Sequence, residues 1–151
     1  MNWNIYLSGE IHTDWRNEIA TGCEAAGLPV QFFSANTNHA DSDDCASVIL
    51  GEEENAFWRD HKAAKMNAVR TRTLMDKSDV VIVRFGDKYK QWNAAFDAGY
   101  AAASGKPLIV IHDPALTHAL KEVDAAALVV TEKSGQVVEA LRYIIQSELT
   151  R

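Results

Sequence analysis

Two short apolar runs, Asp79–Phe85 (DVVIVRF) and Pro107–Ile111 (PLIVI), constrain the fold of this chain more than any other feature. Both are rich in β-branched residues and nearly free of polar positions. Successive side chains of a strand point to opposite faces of its sheet, so a strand apolar at every position must be covered on both sides. Helices on both faces of a parallel sheet provide that cover. The segment between the runs agrees. Asn93–Ser104 is small and alanine-rich, ends at Gly105, and reads as a helix packed closely on the sheet.

The rest of the chain alternates in the same way. Trp3–Leu7 and Leu28–Phe33 read as strands, and Leu128–Thr131 as a shorter fifth one. His12–Ala26 places Trp15, Ile19, Cys23 and Ala26 at helical spacing before Gly27, while His61–Lys77 and Ser134–Leu149 are further helices. Ser34–Asp44 (SANTNHADSDD) reads as a polar loop, followed by a short helix from Asp44 to Leu50 that stops at Gly51. The expectation is an α/β protein, a single domain over residues 1–151. Its sheet is doubly wound and mainly parallel, with five strands and right-handed crossovers.

Charge and composition narrow the function. Acidic residues outnumber basic ones, 21 to 15, and no basic stripe is present, which argues against a nucleic-acid polymer as partner. No apolar run approaches the ~18 residues of a membrane span. The opening MNWNIYLSGE lacks the features of a signal peptide, so the expected location is the cytoplasm. Cys23 and Cys45 are too few for a disulfide framework. No GxSxG, Walker A or HExxH pattern occurs, and no cofactor is expected. His39, Asp41, Asp43 and Asp44 match no metal spacing and read as a polar capping loop, so no metal is expected either.

Open parallel sheets bind ligands beyond the carboxyl ends of their strands. That rule selects Ser8–Asp14, Ser34–Asp44, Phe85–Asp97 and His112–Pro114. Asp97 falls within the opening two turns of its helix, where the helix dipole favours a carboxylate by ~0.3–1 kcal/mol. An ionised carboxylate there suits a nucleophile or a stabiliser of developing positive charge; it equally suits plain helix-terminus stabilisation. Tyr6, Ser8 and Gly9 end the first strand, with Gly9 allowing a tight turn and close approach to a ligand. Glu10, His12 and Asp14 add ionisable groups at the same mouth. The loop from Gly86 to Asn93 carries Asp87, Tyr89, Gln91, Trp92 and Asn93. Its aromatic rings suit stacking on a nucleobase or sugar, or burial in a subunit interface.

These residues carry a resemblance. YLSG at Tyr6–Gly9, SDVVIVRF at Ser78–Phe85 and NAAFDAGYAAASGKPLIVI at Asn93–Ile111 resemble the strand ends and central helix of the nucleoside 2-deoxyribosyltransferase superfamily, with its flavodoxin-like fold. YLSGEIHTDWR, Asn38–His39, MDKSD at Met75–Asp79 and FGDKYKQWNAAFDAGYA at Phe85–Ala101 resemble the YtoQ family within it, over essentially the whole chain. The resemblance implies an N-glycosidic-bond enzyme, hydrolase or deoxyribosyltransferase, acting on a nucleoside or nucleotide-like ligand. It places the carboxylate nucleophile at Asp97, with Tyr6 beside it. Ser8, Gly9, Glu10, His12, Asn38, His39, Asp87, Gln91, Trp92 and Asn93 become the expected ligand-binding set.

The chain also departs from the superfamily pattern. The nucleophile position holds Asp rather than Glu, one methylene shorter, and the Gly-Thr before the helix is replaced by Asn93-Ala94. Gln91 stands where some transferases place an aspartate that helps protonate the base, and a glutamine cannot supply that proton. A second reading follows: a non-catalytic sensor of a nucleotide or nucleotide-sugar on the same fold. The small residues of Ala94–Ser104 permit close backbone approach and, with the superfamily resemblance, imply a homo-oligomer, dimer or higher.

Overall fold

The computed structural model describes all residues, Met1 to Arg151. Its contacts group into two compact units, one formed by Met1–Phe33 with Ser78–Arg151 and the other by Ser34–Lys77.

The larger unit is built on β1 (Trp3–Gly9), β2 (Val30–Ser34), β3 (Val80–Arg84), β4 (Leu108–Ile111) and β5 (Val129–Thr131), in the spatial order β2-β1-β3-β4-β5. The pairings β1–β3, β3–β4 and β4–β5 are all parallel. The expected five-stranded α/β sheet is therefore present, and the two apolar runs are its adjacent strands β3 and β4. Alternation sorts their side chains. Ile5, Leu7, Val80, Ile82, Ile109 and Ile111 share a core with Trp15, Ile19 and Cys23 of α1 (Trp15–Ala25) and with Val137 and Leu141 of α6 (Ser134–Gln146). The opposite face receives α4 (Trp92–Ala103), which buries Ala94, Ala98 and Ala101 at helical spacing. Three methyl side chains let the α4 backbone sit close to the strands and bring Asp97 down toward the sheet. A six-residue helix, α5 (Lys121–Ala126), precedes β5 and was not expected from periodicity.

The smaller unit is a helical hairpin of α2 (His39–Leu50) and α3 (Ala56–Asp76). Two boundaries differ from the sequence reading. The supposed loop Ser34–Asp44 is helical from His39 onward, because the Asn38 side chain accepts the Asp41 amide and caps the first turn. Likewise α3 begins at Ala56 rather than His61, with the Asn55 side chain accepting the Phe57 amide at 2.8 Å.

Candidate active site

The site begins at the end of β1, where the sheet itself demands a glycine. Gly9 has φ of +119°, and a Cβ there would lie 2.0 Å from the Arg84 carbonyl oxygen of the paired strand. No side chain fits such an approach. The chain then turns over Glu10, which is only 4 % exposed. Its carboxylate accepts the His12 amide at 2.7 Å, the Thr13 amide at 3.1 Å, the Thr13 hydroxyl, and Arg84 Nε at 3.0 Å. Burial pushes the Glu10 carboxyl up, but the bonds from Thr13, His12 and Arg84 outweigh it and hold the group below the ordinary glutamate value. The Glu10 carbonyl in turn accepts Trp15 Nε1 at 2.9 Å and Arg16 at 2.6 Å. Glu10 thus follows the end of β1 as a buried group with both carboxylate oxygens engaged in holding the turn.

The next strand end is fixed as tightly. Gln91 accepts the Gly86 amide at 3.0 Å and donates to the carbonyls of Lys88 and Tyr89 at 2.6 and 2.9 Å. Its amide group therefore ties the β3–α4 loop into a closed turn in which Tyr89 adopts a positive φ of 61°. The Tyr89 ring lies 4.9 Å from that of His12, so the loops following β1 and β3 meet there. Asp87 is exposed in this loop. Trp92 and Asn93 open α4 and are also exposed, Trp92 with Lys90 Nζ 5.5 Å from its ring.

Between these loops lies Asp97, half-buried in the second turn of α4. The Ser8 hydroxyl, 2 % exposed, donates to Asp97 Oδ2 at 2.6 Å. No other hydrogen bond reaches the carboxylate, which leaves Oδ1 without a protein donor. Tyr6 lies two residues earlier on the same face of β1 and is wholly buried. The helix dipole alone favours an ionised Asp97, yet the structure sets a stronger influence against it. Burial pushes the Asp97 carboxyl up from its ordinary value, and the Ser8 hydroxyl draws it partly back. The dipole effect fades beyond the first turn, whereas removal of water from a carboxylate does not.

Asn38 and His39 belong to the other unit. Asn38 caps α2, and His39 Nδ1 lies 3.2 Å from Asp43 on an exposed face. Sequence reasoning missed Arg84 and Arg16. A lone arginine ending an otherwise apolar strand was the available signal, since a partly buried cation calls for an acidic partner. His112, at the end of β4, is buried with Nδ1 2.8 Å from the Asp113 carbonyl and Nε2 3.0 Å from the Asp124 carboxylate. A carbonyl can only accept, so Nδ1 carries a proton in this arrangement.

A family model described as "Nucleoside 2-deoxyribosyltransferase YtoQ" matches residues 6–145. The "Uncharacterized protein YtoQ" of Bacillus subtilis is 45% identical over 148 residues, covering 98% of this chain and all of that protein. A 2-deoxyribosyltransferase from Bacillus psychrosaccharolyticus superposes with a TM-score of 0.54 at 15% identity, covering 89% of this chain and 90% of the other. A conserved protein from Enterococcus faecalis gives 0.60 at 12% identity, covering 95% and 99%. At such identities these structures establish the shared fold alone.

Proposed function

The chain belongs to the nucleoside 2-deoxyribosyltransferase YtoQ family, and on that premise we propose that it cleaves N-glycosidic bonds of a nucleoside or nucleotide-like ligand with Asp97 as nucleophile. The observation that carries the reading is the Ser8–Asp97 pair. A carboxylate with one oxygen held by a buried hydroxyl and the other without a protein donor is arranged to present a single atom to an electrophile.

The steps are those of a retaining glycosyl transfer. Asp97 Oδ1 attacks C1′ of the sugar, and the C1′–N bond electrons leave with the base nitrogen, which takes a proton from water. The resulting glycosyl ester is then opened at C1′ by the nitrogen of a second base, or by water, which loses its proton as the carboxylate is released. Tyr6 orients the nucleophile, Trp92 and Tyr89 offer ring faces to the base, and Asn93 and Asp87 offer polar contacts. Gly9 lets the backbone approach the sugar. Residues 1–151 act as one functional domain of a cytoplasmic homo-oligomer.

A second reading, a nucleotide or nucleotide-sugar sensor, is favoured by one observation. Gln91, which by the superfamily resemblance stands where some transferases carry a proton donor, commits its side chain to Gly86, Lys88 and Tyr89. Incubation with a panel of nucleosides and nucleotides separates the readings by chromatography of free base. Release by the wild type and none by Asp97→Ala supports the enzyme. Thermal stabilisation by a ligand recovered intact supports the sensor.

A further inference from the structure

The loops that follow β1 and β3 meet over the strand ends, and each is braced from within. After β1 the Glu10 carboxylate accepts the His12 and Thr13 amides, while the Glu10 carbonyl accepts Trp15 Nε1 and Arg16. The backbone is thus pinned on both sides of Ile11. After β3 the Gln91 amide group spans Gly86, Lys88 and Tyr89 and holds Tyr89 at its positive φ. The two loops touch at two places. Gly86 lies against Glu10, where an added Cβ would come 3.0 Å from Glu10 Cγ. The Tyr89 and His12 rings stand 4.9 Å apart, tilted by 49°. His12 is exposed, and neither of its ring nitrogens is hydrogen-bonded within the chain.

A base leaving C1′ carries away the electron pair of the C1′–N bond and needs a proton. Gln91 has none to give, and its side chain is spent on the loop. Glu10 is buried with four donors on its carboxylate. His112 is buried with Nδ1 on the Asp113 carbonyl and Nε2 on Asp124. Lysine and arginine hold their protons at neutral pH, and exposed carboxylates carry none. An imidazole both gives and takes a proton in that range, and His12 presents one with both nitrogens unengaged. It is also within reach. His12 lies four residues past Ser8, whose hydroxyl holds Asp97, so even an extended chain would separate the two by at most ~14 Å. The turn over Glu10 shortens that span.

We propose that His12 is the proton donor to the departing base, an inference that rests on Asp97 being the nucleophile. As the C1′–N bond breaks, the imidazolium passes one proton to a ring nitrogen of the base and becomes neutral. In the second step the neutral imidazole takes the proton from the incoming base nitrogen or water, and the cycle closes. Gln91 is then a positioning residue, which seats Tyr89 against the His12 ring.

Paired substrates test this on the full chain: a 2′-deoxynucleoside, and 4-nitrophenyl 2-deoxyriboside, whose phenolate leaves without a proton. His12→Gln, a change at an exposed position, is expected to lower kcat/KM on the nucleoside about 100-fold or more, and on the aryl glycoside less than about threefold. Asp97→Ala should lose both activities. An equal fall on both substrates in His12→Gln, or no fall on the nucleoside, would overturn the role of His12 and leave Asp97 standing. A wild type that cleaves only the aryl glycoside would do the same. A wild type that cleaves neither would overturn the nucleophile reading, and the role of His12 with it.

Discussion

Replacing Ser8 by Ala removes one hydroxyl from a buried position and leaves Asp97 Oδ2 without its donor. The lost bond is short and made to a charged group, a class worth about 1.5–3 kcal/mol. At 1.4 kcal/mol per tenfold, and with the bond serving to aim the carboxylate, kcat should fall roughly 10- to 100-fold while KM changes little. A direction in pH accompanies the loss. Burial already raises the Asp97 carboxyl and Ser8 opposes it, so in Ser8→Ala the carboxyl rises further. The acid limb of kcat/KM should therefore move to higher pH. Base release followed by chromatography across a pH series gives both quantities, and Ser8→Cys, a weaker donor, should fall between the two. Carbon-13 titration of the Asp97 carboxyl reads the same effect without turnover. An unchanged acid limb together with an unchanged carbon titration in Ser8→Ala would refute the positioning role.

Gly9→Ala should cost more than about 4 kcal/mol, since its Cβ meets the Arg84 carbonyl and φ is positive; a denaturation midpoint close to wild type contradicts the description of the turn. Glu10→Gln should destabilise by about 2 kcal/mol at neutral pH, because Arg84 loses its acidic partner. Because the folded-state value of Glu10 is depressed, its contribution is present above the ordinary glutamate value of 4.5 and is lost as pH falls through the lower folded value. Melting temperature against pH should thus show a shallower acid limb in Glu10→Gln than in the wild type. Trp92→Ala should raise KM about tenfold if the ring stacks on the base, with no change in melting temperature since the side chain is 66% exposed.

The layout of the fold was legible because it rests on local signals. The β-branched runs of β3 and β4, the alanines of α4 and the glycine stops each act within a few residues, and the strand-end rule then located the mouth. The hairpin boundaries were less legible. Asn38 and Asn55 set them by capping, and the Asn- and Asp-rich stretch after Ser34 has the composition of a loop as well as that of a helix start. Long-range partners were invisible. Ser8 and Asp97 are 89 residues apart, and Glu10 and Arg84 are 74 apart. Ser8, Glu10 and Asp97 were each plausible site residues alone, yet nothing local says that a hydroxyl of β1 binds the carboxylate of α4. The upward push on the Asp97 carboxyl was invisible for the same reason, since spacing reveals a helix terminus but not the burial that opposes it.

The central claim is that Asp97 forms and breaks a bond to an anomeric carbon. Mass spectrometry of the protein mixed rapidly with a 2′-deoxynucleoside tests this directly. The account predicts free base in solution and one deoxyribosyl group on the α4 peptide that contains Asp97, both absent in Asp97→Ala. A wild-type protein that binds the nucleoside, releases no base and keeps its unmodified mass would contradict it.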